Sequence, residues 1–381
     1  MFELKSALAK KREAGLYRVR RVNASAQGVH SLIDGKQYLS FCSNDYLGLA
    51  NHPDLKQACI NAVRQYGVGS GGAHLVNGHS QLHYDCEQRL AEFTGRERAL
   101  LFSNGYMANL AIGSALLGRH DVVFQDRLNH ASLLDAARLS GAKRVRYRHN
   151  DSDHLARQLA HHQTTSRRLL MTDAVFSMDG DCADLTRISR LCIDHETCCM
   201  VDDAHGFGVL GERGGGLLQA LHLDQNQVPV LMATLGKAVG TAGAFVAGSE
   251  DLIETLIQQA KPYIYTTASP PAMAATTLCS LDLIERENWR RQKLMELIDY
   301  LRRSLKDSAY QLMPSETPIQ PIIIGDNHHA LALSNHLFKQ GLLVTAIRPP
   351  TVPVGSARLR ITLSAAHSKA DIDTLLKALL V

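Results

Sequence analysis

The sequence predicts an α/β protein: a large domain built on a mostly parallel sheet, then a smaller C-terminal α+β domain. Three observations predict it. Short β-rich runs alternate with helical patterns from about residue 80 to 250. Several of those runs are apolar throughout, as strands covered on both faces by helices must be. Beyond about residue 281 the texture changes to a long charged helical stretch followed by short strands. Length agrees, since 381 residues exceed what one simple core holds. The expected division is an N-terminal helix and arm at 1–45, a large domain at 46–280 and a small domain at 281–381.

Each element has its own signal. Residues 1–20 read as an amphipathic charged helix followed by an arm. "KQYLSFCSNDYLGL" (36–49) reads as a strand that breaks at Ser43-Asn44-Asp45. "DVVFQD" (121–126) is a strand ending in a polar residue, and "HASLLDAARLSG" (130–141) is a helix stopped by glycine. "KRVRYR" (143–148) is a strand and "SDHLARQLAHH" (152–162) a helix. "RRLLMTDAVFS" (167–177) is a strand running into a loop. "DLTRISRLCIDH" (184–195) is a helix with Asp184 placed to cap it. "TCCMVDDAHG" (197–206) and "VPVLMATLGKA" (228–238) are apolar strands that end in functional side chains. After the charged helical region (285–307) come "IQPIIIG", a helix, "LLVTAI", "ARLRITLS" and a last helix.

Composition narrows the function classes. Hydrophobic residues make up 45% and charged residues 20%, with a formal charge of +4, which describes an ordinary globular surface. Basic residues form no long block and the aromatics do not interleave with them, so no nucleic-acid platform is expected. The eight cysteines are scattered and none forms C-x-x-C, which suits a reducing compartment. No apolar h-region follows the basic N-terminus, and no run reaches the ~20 apolar residues of a membrane span. The cytoplasm is the expected location, with no membrane partner.

In open α/β sheets, ligands bind beyond the carboxyl ends of the strands. The polar residues expected on that rim are Asn129-His130, Ser177, Asp202-Asp203-Ala204-His205 and Thr234-Leu235-Gly236-Lys237. A lysine in a small-residue loop, a strand-end carboxylate and phosphate-binding amides are the partners of pyridoxal 5'-phosphate. Asp202 closes an apolar strand and so needs a cation, such as a protonated ring nitrogen. His205 could hydrogen-bond the ring's phenolic oxygen, and His130 could stack on its face. "SNGYMANLAIGSALL" (103–117) offers a helix N-terminus for the phosphate, with Gly105 allowing close approach, Tyr106 following, and Thr234 a hydroxyl donor. Plainer readings stand beside each: a turn cap for Asp202–Asp203, a helix-start role for His130, an exposed loop for Lys237. "GVGSGG" (67–72) lacks the context of a dinucleotide fingerprint or a P-loop, and "HNDSDH" (149–154) reads better as a turn and helix cap than as a metal site. A nucleotide-binding α/β protein and a metal-binding protein using the 18 histidines are the rivals from other classes. No metal is expected.

"VDDAHGFGVLGERGGG" and "TLGKAVGTAGAFVAG" resemble the pyridoxal-phosphate α-oxoamine synthases. The resemblance extends through "FCSNDYLGLANHP", "GVGSGG", "LFSNGYMAN", "DRLNHASLLDAARLS", "DAVFSMDGD" and "YIYTTASPP", almost the whole chain. It implies a fold-type-I, aminotransferase-like homodimer with active sites shared between subunits. Lys237 then carries the cofactor aldehyde and later moves protons. Asp202 pairs with the pyridine nitrogen, His205 and Ser177 with the ring oxygen, and His130 stacks on the ring. Gly105, Tyr106 and Thr234 hold the cofactor, and Thr266 or Thr267 reaches the phosphate of the other subunit. Arg360 takes the amino-acid carboxylate, for which a planar fork is the right shape, with Asn44 nearby. Arg18 and Thr351 lie along the acyl-substrate path, and Arg348 is a further substrate-binding candidate. "VTAIRPPTVPVGSARLRITLSAAH" (344–367) points to the member that joins L-alanine to a pimeloyl thioester, on coenzyme A or a carrier protein, in biotin synthesis. The alternative is a relative that uses glycine with a short acyl-CoA, such as glycine C-acetyltransferase. Ala73-His74-Leu75 departs from the family's usual Ser and basic residue, which puts the local acyl contacts in doubt.

Overall fold

The computed structural model describes residues 3–163 and 166–380. The chain forms two compact units: one contains the chain through Gly48, the segment Ser177–Asp181 and the chain from Trp289; the other contains Leu49–Phe176 and Cys182–Asn288. Met1, Phe2, Thr164, Thr165 and Val381 lie outside the described residues; the first and last predicted helices run over Leu4–Glu13 and Lys369–Leu379. Among the described residues no helix is long and apolar enough to cross a membrane.

The strands, in chain order, are β1 (His30–Ile33), β2 (Lys36–Ser40), β3 (Arg98–Phe102), β4 (Val122–Asp126), β5 (Lys143–Tyr147), β6 (Arg168–Asp173), β7 (Cys198–Asp202), β8 (Val230–Thr234), β9 (Ala244–Gly248), β10 (Gln311–Leu312), β11 (Ile319–Gly325), β12 (Leu342–Leu343), β13 (Thr345–Ile347) and β14 (Ala357–Thr362). β3 to β9 make one sheet in the order β3-β9-β8-β7-β6-β4-β5. The five strands from β8 to β5 in that order run parallel. β9 is antiparallel to both of its neighbours.

The apolar runs are buried on both faces, and period-2 geometry shows why. Leu169, Met171, Met200, Val230 and Met232 face one apolar cluster. Leu170, Cys199, Val201 and Leu231, which alternate with them, face the other. Helices Gly105–Leu116 and Ala131–Ser140 cover the first face with Ile112, Leu133 and Ala136. These two helices cross closely because Gly113 lies on Ala136. A Cβ at position 113 would stand 2.8 Å from the Ala136 carbonyl oxygen, so only glycine fits without a shift.

In the smaller unit, β1 and β2 form a hairpin through Asp34-Gly35, whose φ values of 50° and 74° are those of a type I′ turn. β12 pairs in parallel with β2. β10-β11-β14-β13 form an antiparallel sheet, accompanied by helices Trp289–Leu305, Asn327–Lys339 and Lys369–Leu379. The arm expected after the first helix therefore holds a hairpin.

Candidate active site

Three parallel strands deliver the first group of side chains. β6 ends at Asp173, β7 at Asp202 and β8 at Thr234, and Asp173 and Asp202 are register partners. Both carboxyls are buried. Burial, then the neighbouring Asp202 charge, pushes the Asp173 carboxyl well above the usual range, while its Oδ2 accepts the His130 backbone N–H at 2.7 Å. Asp202 accepts the Ala204 N–H at 3.0 Å on Oδ1 and the Asn109 amide at 2.8 Å on Oδ2. These are neutral donors, and among the described residues no ion pair partners Asp202.

The loop after β8 folds on itself. Leu235 N–H donates to Gly243 O at 2.9 Å, Thr241 N–H to Leu235 O at 2.9 Å, and the Thr234 hydroxyl to Gly243 O at 3.0 Å. Gly240 has φ +73°, and a Cβ there would meet the Ala50 nitrogen at 2.6 Å, so the second glycine of "TLGKAVG" is sterically required. Gly236 is not crowded, its nearest such contact being 3.8 Å. Lys237 Nζ lies 2.8 Å from His205 Nε2. His205 is buried in the turn after β7.

Asp203 belongs to the structure of that turn. Its Oδ2 accepts the Leu217 N–H at 2.6 Å, and burial pushes its carboxyl up to about 8.

The helix opened by Gly105 begins beside the end of β8. A Cβ on Gly105 would lie 3.8 Å from Thr234 Cβ and 3.7 Å from the Met232 methyl, both ordinary contacts. Asn104 caps this helix by accepting the Met107 N–H at 3.0 Å. Tyr106 is half-exposed and donates its hydroxyl to Asp135. Thr267 bridges to Ala73, with Thr266 beside it in the same short segment.

A second group lies in the smaller unit. Arg360 is buried on β14. Its Nε donates to Ser177 O at 2.7 Å, and Nη1 and Nη2 donate to Asn44 Oδ1 at 3.3 and 3.2 Å. The structure groups Ser177 with Asn44 and Arg360 through the Ser177 backbone carbonyl. Arg18 donates to the Thr351 hydroxyl at 3.4 Å, and Arg348 donates to the Gly15 carbonyl. All three of these substrate-binding candidates are therefore anchored within this unit.

Two residues the sequence reading passed over join the first group. Asn109 is fully buried, and its Nδ2 donates to Asp202 Oδ2 and, at 2.8 Å, to Ser132 Oγ. Ser132 Oγ lies 2.7 Å from His130 Nδ1. The signal in the sequence was an asparagine inside the apolar helix "GYMANLAIGSAL". Burial, opposed by the Asp202 charge and assisted by Lys237, lowers the His130 ring below its ordinary range.

The segment that departs from the family pattern forms a π-helical turn, His74–Gly78. His74 stacks on Tyr263 at 5.0 Å, and its Nδ1 lies 2.9 Å from His79 Nδ1. Burial and the two neighbouring imidazoles push His74 down to about 3. His83 completes the cluster, but both its nitrogens are spent. Nδ1 accepts the Ser80 N–H at 3.0 Å, and Nε2 lies 2.8 Å from Ser269 O, so the ring serves as half of a capping box. The glycine-rich run 67–72 follows helix Pro53–Tyr66 and lacks the strand–loop–helix setting of a nucleotide site. In "HNDSDH", Asp151 caps helix Ser152–His161 through the His154 N–H at 2.7 Å, in keeping with a turn and cap.

The model of the family "Aminotransferase class I and II" matches residues 36–379. The chain belongs to this family. Its fold is that of the fold-type-I pyridoxal-phosphate transferases. This aminotransferase-family chain is 56% identical over 379 residues to an 8-amino-7-oxononanoate synthase from Thioalkalivibrio sulfidiphilus, covering 100% of this chain and 97% of that protein. A serine palmitoyltransferase variant from S. paucimobilis with a bound PLP–myriocin aldimine is 30% identical, with TM-score 0.93 over 98% of this chain and 95% of that one. An 8-amino-7-oxononanoate synthase from Francisella tularensis is 32% identical, with TM-score 0.78 over 90% and 96% of the two chains.

Proposed function

We infer that this chain is a pyridoxal-phosphate enzyme that condenses L-alanine with a pimeloyl thioester. The products are 8-amino-7-oxononanoate, CO2 and the free thiol, a step of biotin synthesis. One observation carries the reading: a buried carboxylate with no cation of its own, Asp202, ends the strand next to the one whose loop presents Lys237. That arrangement fits the cofactor, since a buried strand-end carboxylate held only by neutral donors has an open place for a protonated ring nitrogen. Full-length identity to 8-amino-7-oxononanoate synthases supports the substrate pair.

Bound there, pyridoxal 5'-phosphate supplies an electron sink that makes the amino-acid Cα–H acidic. The chain's own groups do the rest. Asp202 holds the ring-nitrogen proton, and Asn109 and the Ala204 amide hold Asp202. Lys237 carries the cofactor aldehyde between turnovers, and its free amine takes and returns the Cα proton. His205, 2.8 Å from that amine, orients it between those tasks and would hydrogen-bond the ring oxygen of the bound cofactor. His130 offers an uncharged ring to stack on the cofactor. Thr234 and the helix start at Gly105 and Tyr106 serve the phosphate, as do Thr266 or Thr267 from a second copy of the chain. In the other unit, Arg360 with Asn44 is suited to the amino-acid carboxylate, and Arg18, Arg348 and Thr351 to the acyl donor. The acting form is then a homodimer, and eight cysteines that form no disulfide suit the cytoplasm.

The test is borohydride reduction of the yellow protein followed by peptide mapping, with an assay of alanine or glycine against several acyl thioesters. A pyridoxyl mass on Lys237, and turnover highest with alanine and a pimeloyl thioester, are expected. Lys237→Ala is expected to lower kcat by at least about a thousandfold, since it removes both covalent and proton-transfer roles. Wild-type turnover in that variant removes the mechanism, and a preference for glycine with a short acyl thioester removes the substrate assignment.

A further inference from the structure

We propose that Asn109 and Ser132 are positioning residues that lock His130 in the tautomer carrying its proton on Nε2. They do so by relaying the polarity of the Asp202 carboxylate along one chain of hydrogen bonds. The catalytic meaning of the relay rests on the function inferred above; its geometry does not.

The directions along the chain follow from which groups can donate. A carboxylate oxygen only accepts, so the atom of Asn109 that stands 2.8 Å from Asp202 Oδ2 is the amide nitrogen; a flipped amide would set two acceptors against each other. That nitrogen has two hydrogens. The second goes to Ser132 Oγ, also at 2.8 Å, so the whole donor capacity of Asn109 is used. Its Oδ1 is buried with no partner, and the side chain is held by its donors alone. Ser132 Oγ, having accepted one hydrogen, donates its own, and His130 Nδ1 is 2.7 Å away. The Ser132 backbone N–H points at the same ring atom at 3.3 Å. Nδ1 is therefore an acceptor twice over, and the proton of the neutral ring sits on Nε2.

The packing keeps the relay rigid. Asn109 and Ser132 lie one turn before Gly113 and Ala136, the point where the two helices cross without room for a Cβ. Asp173 fixes the start of the second helix by taking the His130 backbone N–H. Burial disfavours the doubly protonated ring, which would have no acceptor left for Ser132. Within the proposed reaction, a ring that only stacked would need just its plane. A ring locked as the Nε2–H form is also a donor, suited to an oxygen on which negative charge builds.

The experiment uses the full-length protein, 15N-labelled in histidine and saturated with pyridoxal 5'-phosphate. Long-range 1H–15N NMR reads the tautomer, and the His130 signal is identified by its loss in His130→Gln. The wild type is expected to show Nδ1 unprotonated and Nε2 protonated. In Ser132→Ala and in Asn109→Ala the tautomer ratio is expected to fall by about fivefold or more, the size of one lost hydrogen bond. Asn109→Ala also raises the Kd for pyridoxal 5'-phosphate by about tenfold, because Asp202 loses a donor. A wild-type His130 protonated at Nδ1 overturns the proposal without any variant having to fold. So does an unchanged tautomer ratio in both variants. Failure of the condensation assay, by contrast, would remove the assigned reaction and leave the tautomer result standing.

Discussion

Arg360 sits in the middle of a strand, and this sets how it can bind a carboxylate. Its register partner on β11 is Pro321 and on β13 is Thr345, so the backbone is fixed on both sides. Its Nε is tied to Ser177 O, which leaves the two Nη groups, now resting on Asn44 Oδ1 and, for Nη1, also on the Thr362 hydroxyl, as the end of the fork that can turn to a ligand. A lysine could keep the charge but not the fork. Arg360→Lys is expected to raise KM for L-alanine on the order of 10–100-fold with a smaller change in kcat, as loss of one charged hydrogen bond predicts. Steady-state rates with alanine varied check it; an unchanged KM assigns the carboxylate to another residue. At this scale the sequence was legible where a polar side chain ended an apolar strand, as Asp202 and Thr234 do, or stood in the loop just after it, as Lys237 does. It was not legible for Asn109 and Ser132, whose meaning depends on two helices meeting at Gly113. It marked Ser177 as a rim residue but gave no sign of the bond from Arg360 to the Ser177 carbonyl, a backbone contact that side-chain reasoning does not reach.

Helix Gln81–Thr94 shows how an element can carry a titration. Its Glu87 is buried and accepts the Leu101 N–H of β3 at 2.9 Å, so one carboxylate ties the helix to the sheet edge. Burial outweighs that bond and the Arg98 charge, and pushes Glu87 up to about 8 from 4.5. A raised acid binds its proton more tightly in the folded state, so stability is greatest at low pH and declines as pH rises from about 5 through 8. Glu87→Gln keeps the acceptor and removes the ionisation. The fall in unfolding free energy between pH 5 and pH 8 is expected to be smaller in the variant, by up to about 4 kcal/mol. Urea unfolding at the two pH values measures it, and equal falls would show that Glu87 is ionised in the fold. The elements themselves were largely legible. The strands from β4 to β8 and the helices between them carry clear apolar runs, caps and glycine stops. β9 and β3 were not read individually, and antiparallel pairing at that end of the sheet comes from long-range partners that no local period records. In the hairpin at Asp34-Gly35, β2 falls inside the strand read at 36–49, while β1 lay in the stretch read as an arm.

The whole molecule presents an apolar surface that its own fold does not cover. In the larger unit Val68, Val76 and Tyr265 are 77%, 80% and 79% exposed. The bridge between Ala73 and Thr267 brings the chain segments that carry Val76 and Tyr265 side by side. Large apolar side chains exposed together mark a surface that another protein covers. In the proposed enzyme the natural occupant is a second copy of the chain, because Thr266 and Thr267, next to Tyr265, are the hydroxyls expected to serve a partner's cofactor phosphate. The expected particle in solution has twice the 41.8 kDa of one chain. Val76→Asp, which sets a charge on that surface, is expected to shift the population to monomer. If the partner's threonines reach the phosphate, the monomer also binds pyridoxal 5'-phosphate about tenfold or more weakly, the cost of a hydrogen bond to a charged group. Light scattering after size exclusion reads the mass, and titration of the cofactor absorbance reads the affinity. A variant that stays dimeric puts the interface elsewhere. A monomer with undiminished affinity keeps the interface and removes the shared phosphate site, so the two parts of the assembly stand or fall separately.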